Sequence, residues 1–234
     1  MFVVTLVVLG WFMDRELMFF DEGVSFTAAR EEMHGAVIHR DYHTFYGPGL
    51  PMLLHWLWRV APWQFLAGRA VGLLAYALWA VLLYAGLEGH ARPWLRLVAI
   101  ASFVLGIAAY QGNLVLPVLA GIAGVGGALL VLRGVASGRV WPFAAAGVLG
   151  GLATLLRYDA GAFIAAATML GYLLCCWRGY GQPVTPAAWF ARSLAYAAGL
   201  LVVVAPAVAW FGAHASLADF NRDILDYSLH LYAA

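Results

Sequence analysis

The chain has 234 residues, of which 64% are hydrophobic and 11% charged, roughly half the charge of an average soluble domain. A water-soluble fold of this size cannot hide so much apolar surface, so the composition excludes one. All 13 basic residues are arginine, and against 12 acids they leave a net charge of +1, which offers no electrostatic footing for nucleic acid.

In chain order, residues 2–13 are apolar but lack the charged start and small-residue cleavage site of a secretory signal, so they predict a short first membrane helix. Residues 14–47 are polar and carry seven of the 12 acids. Residues 48–62 are apolar and Trp-rich but too short to span comfortably. Residues 65–87, 94–110, 113–132, 140–156, 159–177 and 189–211 each approach the length needed to cross a hydrocarbon core of about 30 Å. An amphipathic tail covers 216–234. The expected fold is therefore all-α, a polytopic transmembrane helix bundle of about seven spans in one domain. A first external loop at 14–63 carries amphipathic juxtamembrane helices, and a second begins at 212–234.

Sidedness turns on residues 48–62. If they span, Arg92 and Arg96, Arg133 and Arg139, and Arg178 and Arg192 all fall outside, against the preference for arginine in cytoplasmic loops. If they lie in the interface, those six arginines fall inside and the charge-free turn at 111–113 falls outside. The second arrangement is expected. It brings the acidic loop, the Arg157–Asp159 turn and the C-terminal tail to one outer face, with Trp56, Trp58 and Trp63 at headgroup level.

Gly121, Gly124, Gly126, Gly127, Gly147, Gly150 and Gly151 suit close helix packing in a membrane. Cys175 and Cys176 are adjacent, a poor arrangement for a structural disulfide or a zinc site, and are expected to be reduced packing residues. No nucleotide-binding glycine loop, HExxH or CxxC is present, and no inverted repeat of interrupted helices is recognisable.

Candidate chemistry gathers after the first helix. Asp21 and Glu22 sit at a plausible membrane surface, where partial desolvation raises a carboxylate's proton affinity and fits it for general-base work, although acids there also simply solvate a loop. Arg69 opens the next span, where its guanidinium either snorkels to the interface or binds phosphate. Arg157 has a plain partner in Asp159. Asp41, His43 and Tyr46 precede the Gly47-Pro48-Gly49 helix start.

The order of these pieces resembles the GT-C glycosyltransferases: an apolar helix, Phe20-Asp21-Glu22-Gly23, an amphipathic helix, His39-Arg40-Asp41-Tyr42, Tyr46-Gly47-Pro48-Gly49 and Arg69. More narrowly, it is similar to bacterial relatives of the protein O-mannosyltransferases and aminoarabinose transferases, which use polyprenyl-phosphate sugars. The resemblance covers residues 1 to about 90 and continues through Leu155-Leu156-Arg157-Tyr158-Asp159. It implies that Asp21 is the catalytic carboxylate of an inverting transfer to a hydroxyl acceptor, supported by Glu22, in an inner (plasma) membrane enzyme whose site faces the periplasm or exterior. It also implies that Arg69 and Arg157 hold the donor phosphate, and that Asp41, His43, Tyr46 and Asp159 line the substrate pocket. No cofactor or metal is expected, with a divalent ion left open. Members of the superfamily have around eleven or more spans and a further outer domain or loop, so this chain is expected to be an N-terminal part of a longer protein. The competing class is a transporter or lipid-flipping protein without chemistry, which predicts polar residues spread through the span centres rather than gathered at one boundary.

Overall fold

The computed structural model describes residues 2–11, 21–44, 46–61, 64–89, 91–109, 115–180 and 184–226. These form helices α1 (Phe2–Trp11), α2 (Asp21–Met33), α3 (Gly49–Val60), α4 (Gln64–Gly86), α5 (Pro93–Ala109), α6 (Val115–Ser137), α7 (Trp141–Leu156), α8 (Tyr158–Trp177) and α9 (Pro186–His214). A short α10 (Leu217–Asn221) and a π-helical turn, Arg222–Asp226, follow. Among the described residues the only β pairing is an isolated bridge between Ile38 and Tyr42. An all-helical bundle is what a bilayer demands, because a helix satisfies its own backbone polar groups in hydrocarbon.

Four helices are long and apolar enough to cross a membrane: Phe65–Gly86, Val118–Ser137, Tyr158–Trp177 and Pro186–His214. The remaining three of the seven apolar segments are helical but shorter, at Phe2–Trp11, Pro93–Leu105 and Trp141–Leu156. Their exposed faces are apolar, as with Val3, Val4 and Val7 on α1 and Leu97 and Val98 on α5.

Contacts along the helices fix their directions. Gly121 of α6 lies against Trp79 of α4, and Leu129 lies against Gly86, so α4 and α6 run in parallel. Gly134 meets Phe143 and Gly126 meets Leu149, which makes α7 antiparallel to α6. The tightest seam is between α7 and α9, which are parallel. A Cβ on Gly147 would stand 2.0 Å from the carbonyl oxygen of Tyr196, and one on Gly199 would stand 2.0 Å from that of Ala144. Only glycine permits this backbone-to-backbone approach, the device by which membrane helices gain dispersion contacts. The starts of α4 and α8 and the ends of α7 and α9 consequently share one end of the bundle, the site end.

Besides Ala120, Ala123 and Ala153 between α6 and α7, three apolar clusters fill the bundle among the described residues. Leu9 packs with Tyr76, Ala80, Ile100, Val104 and Val118, which ties α1 to α4, α5 and α6. Phe143, Val135, Tyr172 and Tyr196 join α6 to α9, with Cys175 and Cys176 packed against them as free thiols. The third cluster anchors α3, whose Leu50, Leu54 and Trp58 recur every fourth residue and face Ala29 of α2 and Leu156 of α7.

Two expectations shift. Trp58 is 7% exposed and packs edge-on to Phe26 at 5.4 Å, so it is a core residue, whereas Trp56 is 62% exposed as an interfacial indole would be. Its place on the i, i+4 stripe of α3 decides this. Arg192 belongs to the second turn of α9 rather than to a loop, where it is buried, donates from Nη2 to the Gly138 carbonyl and lies 5.7 Å from the Phe143 ring. Arg133, Arg139, Arg178 and Arg192 nonetheless all fall at the end opposite the site.

Candidate active site

The site end is built from three pieces of chain far apart in sequence: the 34–48 connection, the α7–α8 turn and the segment after α9. The first begins where α2 stops. Gly35, at φ 88°, donates to the Glu32 carbonyl while Ala36 donates to that of Glu31, a Schellman close that satisfies the last carbonyls of the helix. Residues 37–42 then fold on Asp41. Its Oδ2 accepts the Val37 N–H at 2.8 Å, and both carboxylate oxygens accept from Arg40, Nε to Oδ1 at 2.9 Å and Nη2 to Oδ2 at 2.7 Å. The Arg40 guanidinium, followed by the Val37 N–H, holds the Asp41 carboxyl at a pKa of about 2. Asp41 thus shapes the turn from beneath a pocket it also helps to line.

This turn places His39 at φ 67°, a left-handed conformation uncommon for a residue with a side chain and a frequent mark of a functional constraint. The imidazole is buried, its Nδ1 2.5 Å from Asp223 Oδ2 and its Nε2 2.9 Å from the Tyr158 hydroxyl. Phe220 meets the ring edge-on at 5.2 Å, and Phe211 of α9 lies 5.9 Å away. His43 Nδ1 meets the other carboxylate oxygen of Asp223, and the Thr44 N–H donates to Asp223 Oδ2 at 3.3 Å. One carboxylate therefore gathers three donors from residues 179 to 184 positions earlier in the chain. With Asp223 ionised, each imidazole carries its proton on Nδ1, and His39 Nε2 accepts from Tyr158 O–H. Burial pushes the His39 pKa below its usual 6.5, outweighing the opposite pull of Asp223.

The α7–α8 turn is a single non-helical residue. Arg157, at φ −149° and ψ 118°, breaks the helix and forks onto Asp159, Nε to Oδ1 at 2.9 Å and Nη2 to Oδ2 at 2.7 Å. Asp159 also accepts the Ala160 N–H, a favourable place for an anion in the first turn of α8. The Arg157 guanidinium lies 5.6 Å from the Tyr46 ring. Gly47 seals the junction: its N–H donates to the Leu156 carbonyl at 3.1 Å, and a Cβ there would stand 2.0 Å from the Leu155 oxygen. The Gly-Pro-Gly start of α3 is thus a docking point for the end of α7.

Two cavities meet at His39. An apolar groove of about 430 Å³ runs between the end of α7 (Thr154, Leu155), Tyr158, the last turns of α9 (Val204 to Gly212) and the 215–220 segment. A smaller polar pocket of about 220 Å³ is lined by His39, Arg40, Asp41, Tyr42, His43, Arg222 and Asp223. Beside it, Tyr42 donates to Glu32 Oε1 at 3.0 Å, and burial raises the Glu32 pKa to about 7.

Of the residues expected at the site, Asp41 and His43 line the polar pocket, and Tyr46, Arg157 and Asp159 meet at the adjoining turn. Arg69 is buried near the start of α4, its guanidinium 4.2 Å above the Phe65 ring. Asp21 and Glu22 open α2, but their side chains lie outside the described residues. The sequence reading missed His39, Tyr158, Asp223 and Glu32. For the first two a signal existed, since both stand within motifs singled out above. Asp223 carried none beyond being an acid in the tail. Among the described residues no three His, Cys, Asp or Glu side chains are arranged to hold a metal ion. No protein-family model, curated protein or solved structure matched this chain.

Proposed function

We propose that the chain is the membrane domain of an inverting glycosyltransferase that moves a sugar from a polyprenyl phosphate to a hydroxyl acceptor, working at the outer face of an inner membrane. The supporting observation is a pair of cavities that share His39 in their walls, an apolar groove of about 430 Å³ and a polar pocket lined by Arg40, His43 and Arg222. A ligand with a long hydrocarbon tail and a polar sugar head suits such a pair, and the groove's size lies in the range of small-molecule sites. In this reading α1, α5 and α7 cross the bilayer with the four longer helices, and the N-terminus lies in the cytoplasm.

The chemistry is a single displacement. Asp21 takes the proton of the acceptor hydroxyl as that oxygen attacks the anomeric carbon. The bond from that carbon to the phosphate oxygen breaks, and the polyprenyl phosphate leaves with the electron pair. Glu22 supports Asp21, a second carboxylate raising the proton affinity of the pair. Arg69 and Arg157 hold the phosphate by paired hydrogen bonds as charge grows on it, Arg157 exchanging Asp159 for the ligand. Asp41, His43, Tyr46 and Asp159 bound the sugar.

The test is transfer from radiolabelled lipid-linked sugar by the full-length protein in membranes. Asp21→Asn should lower turnover by about 10²- to 10⁴-fold with donor binding retained, and Glu22→Gln should cost less. Wild-type turnover in Asp21→Asn, with loss in Glu22→Gln or Asp41→Asn, would move the base elsewhere in the loop.

A further inference from the structure

The end of the bundle opposite the site carries charge of one sign. Between Glu88 and Asp219 the sequence holds a single acid, Asp159, which stands at the site end paired with Arg157. Arg133, Arg139, Arg178 and Arg192 lie at the other end, where Glu88 is placed 4.0 Å from Arg96. Arg133, Arg139 and Arg178 are exposed and keep their charge in water. Arg192 is 4% exposed. Its guanidinium lies over the Phe143 ring at 5.7 Å, with Nη2 donating to the Gly138 carbonyl at 3.3 Å. Nε and Nη1 are buried and make no hydrogen bond of ordinary geometry, and neither does the hydroxyl of Tyr172 beside them. A neutral phenol does not balance a guanidinium, which never loses its proton, and a buried cation with unfilled donors and no anion is strongly disfavoured.

The start of α7 meets the same turn. Val140 gives it no side-chain cap and Pro142 stands in its first turn, so the positive end of a 16-residue helix faces residues 138–140 with no acid beside it. Gly138, at φ 71°, carries no side chain to cover the guanidinium. The depth is marked by Trp141, Trp177 and Trp189, all exposed around this end, as indoles are at a membrane–water boundary.

We infer that Arg192 and the start of α7 form a binding site for the phosphate of an anionic phospholipid, in the leaflet opposite the candidate active site. The ligand chemistry is that of a phosphate oxyanion, whose oxygens accept from the unfilled Arg192 donors and face the helix start. A lipid supplies it rather than free phosphate, because the turn lies at headgroup depth and the exposed apolar side chains of Leu173 on α8 and Phe190 on α9 flank it for the acyl chains. The exposed Arg133, Arg139 and Arg178 favour a headgroup of net negative charge over a zwitterionic one. The site stands whether or not the chain transfers sugar.

Native mass spectrometry of the full chain reads the site, with delipidated protein in detergent titrated with phosphatidylglycerol or with phosphatidylcholine. The wild type should hold one phosphatidylglycerol about tenfold more tightly than phosphatidylcholine, the strength of one charge-assisted hydrogen bond. Arg192→Met keeps an apolar stem against Phe143 and deletes the unbalanced cation, so it should fold and lose the preference. Arg178→Gln, at an exposed position, should keep the preference to within about twofold. Inorganic phosphate alone, at millimolar concentration, should leave the bound lipid in place. Equal affinity of the wild type for the two lipids, a preference retained in Arg192→Met or lost in Arg178→Gln, or displacement of the lipid by inorganic phosphate each overturns the assignment. If Arg192→Met does not fold, the wild-type comparison, Arg178→Gln and the phosphate competition decide it.

Discussion

The α7–α9 seam and the site end of the same helices are held together by opposite means. In the seam, Gly147 and Gly199 bring backbone against backbone, each within a distance that admits no Cβ. At the site end, beyond the ends of the same helices, the chain is joined by hydrogen bonds that Asp223 accepts from His39, His43 and Thr44. The seam is made by small residues and backbone, whereas the site end sets a carboxylate and two imidazoles beside an apolar groove.

The sharpest way to break that contrast is to fill the seam. Gly147→Leu must push its side chain into the Tyr196 carbonyl, a backbone atom that cannot rotate away, so it should cost more than the ~1–3 kcal/mol of ordinary overpacking. We expect loss of the monodisperse peak in detergent size-exclusion chromatography. Gly171→Leu on α8, where nothing lies within 4 Å of the added Cβ, should leave it intact.

At the site end, Asp223→Ala leaves the His39 Nδ1–H, the His43 Nδ1–H and the Thr44 N–H without their acceptor. Each buried orphan costs about 1–3 kcal/mol, and partial rehydration of His43 offsets some of that, so a loss near ~3 kcal/mol is expected by thermal unfolding in detergent. The fold should survive, in contrast to the seam variant. Tyr158→Phe removes only the 2.9 Å hydrogen bond to His39 Nε2 and keeps the ring against Phe220, so about 1 kcal/mol is expected from the same measurement.

The two regions also differ in how much of them the sequence discloses. Helix-length apolar runs give the all-helical class, and the alternation of arginine-bearing and arginine-poor connections correctly brings the 34–48 connection, the Arg157 turn and the tail to one end. Helix ends are legible unevenly: α7 runs Trp141–Leu156 against the expected 140–156, whereas α9 runs Pro186–His214 and overshoots the expected 189–211 by three residues at each end. Small-residue spacing marks α7 as a packing helix but does not name its partner, since the glycine of α9 that completes the seam, Gly199, stands alone in an Ala- and Val-rich run. The polar cluster is the least legible. A carboxylate that pairs with histidines 180 and 184 residues away leaves no periodic or local pattern, and His39, although it opens a motif, gives no sign in the sequence of its left-handed backbone or its distant partner.

The smallest expected effect belongs to a carboxyl beside the polar pocket. Glu32 lies at the end of α2, more than half buried, with Tyr42 donating to it, and its carboxyl is raised from 4.5 to about 7 because burial penalises the anion more than that hydrogen bond favours it. A raised folded-state value means that the folded protein binds the proton more tightly than the unfolded chain. Glu32 therefore adds stability that is complete below about 4.5 and is lost as pH rises through about 7. Its direction is opposite to that of His39. Glu32→Gln removes the titration and retains an oxygen for Tyr42, so thermal melts should show the variant gaining on the wild type as pH rises from 5 to 8. The gain should be modest, because the carboxylate retains some contact with water. If Glu32→Gln instead tracks the wild type at every pH, the carboxyl is better hydrated than its place against α2 and Tyr42 implies.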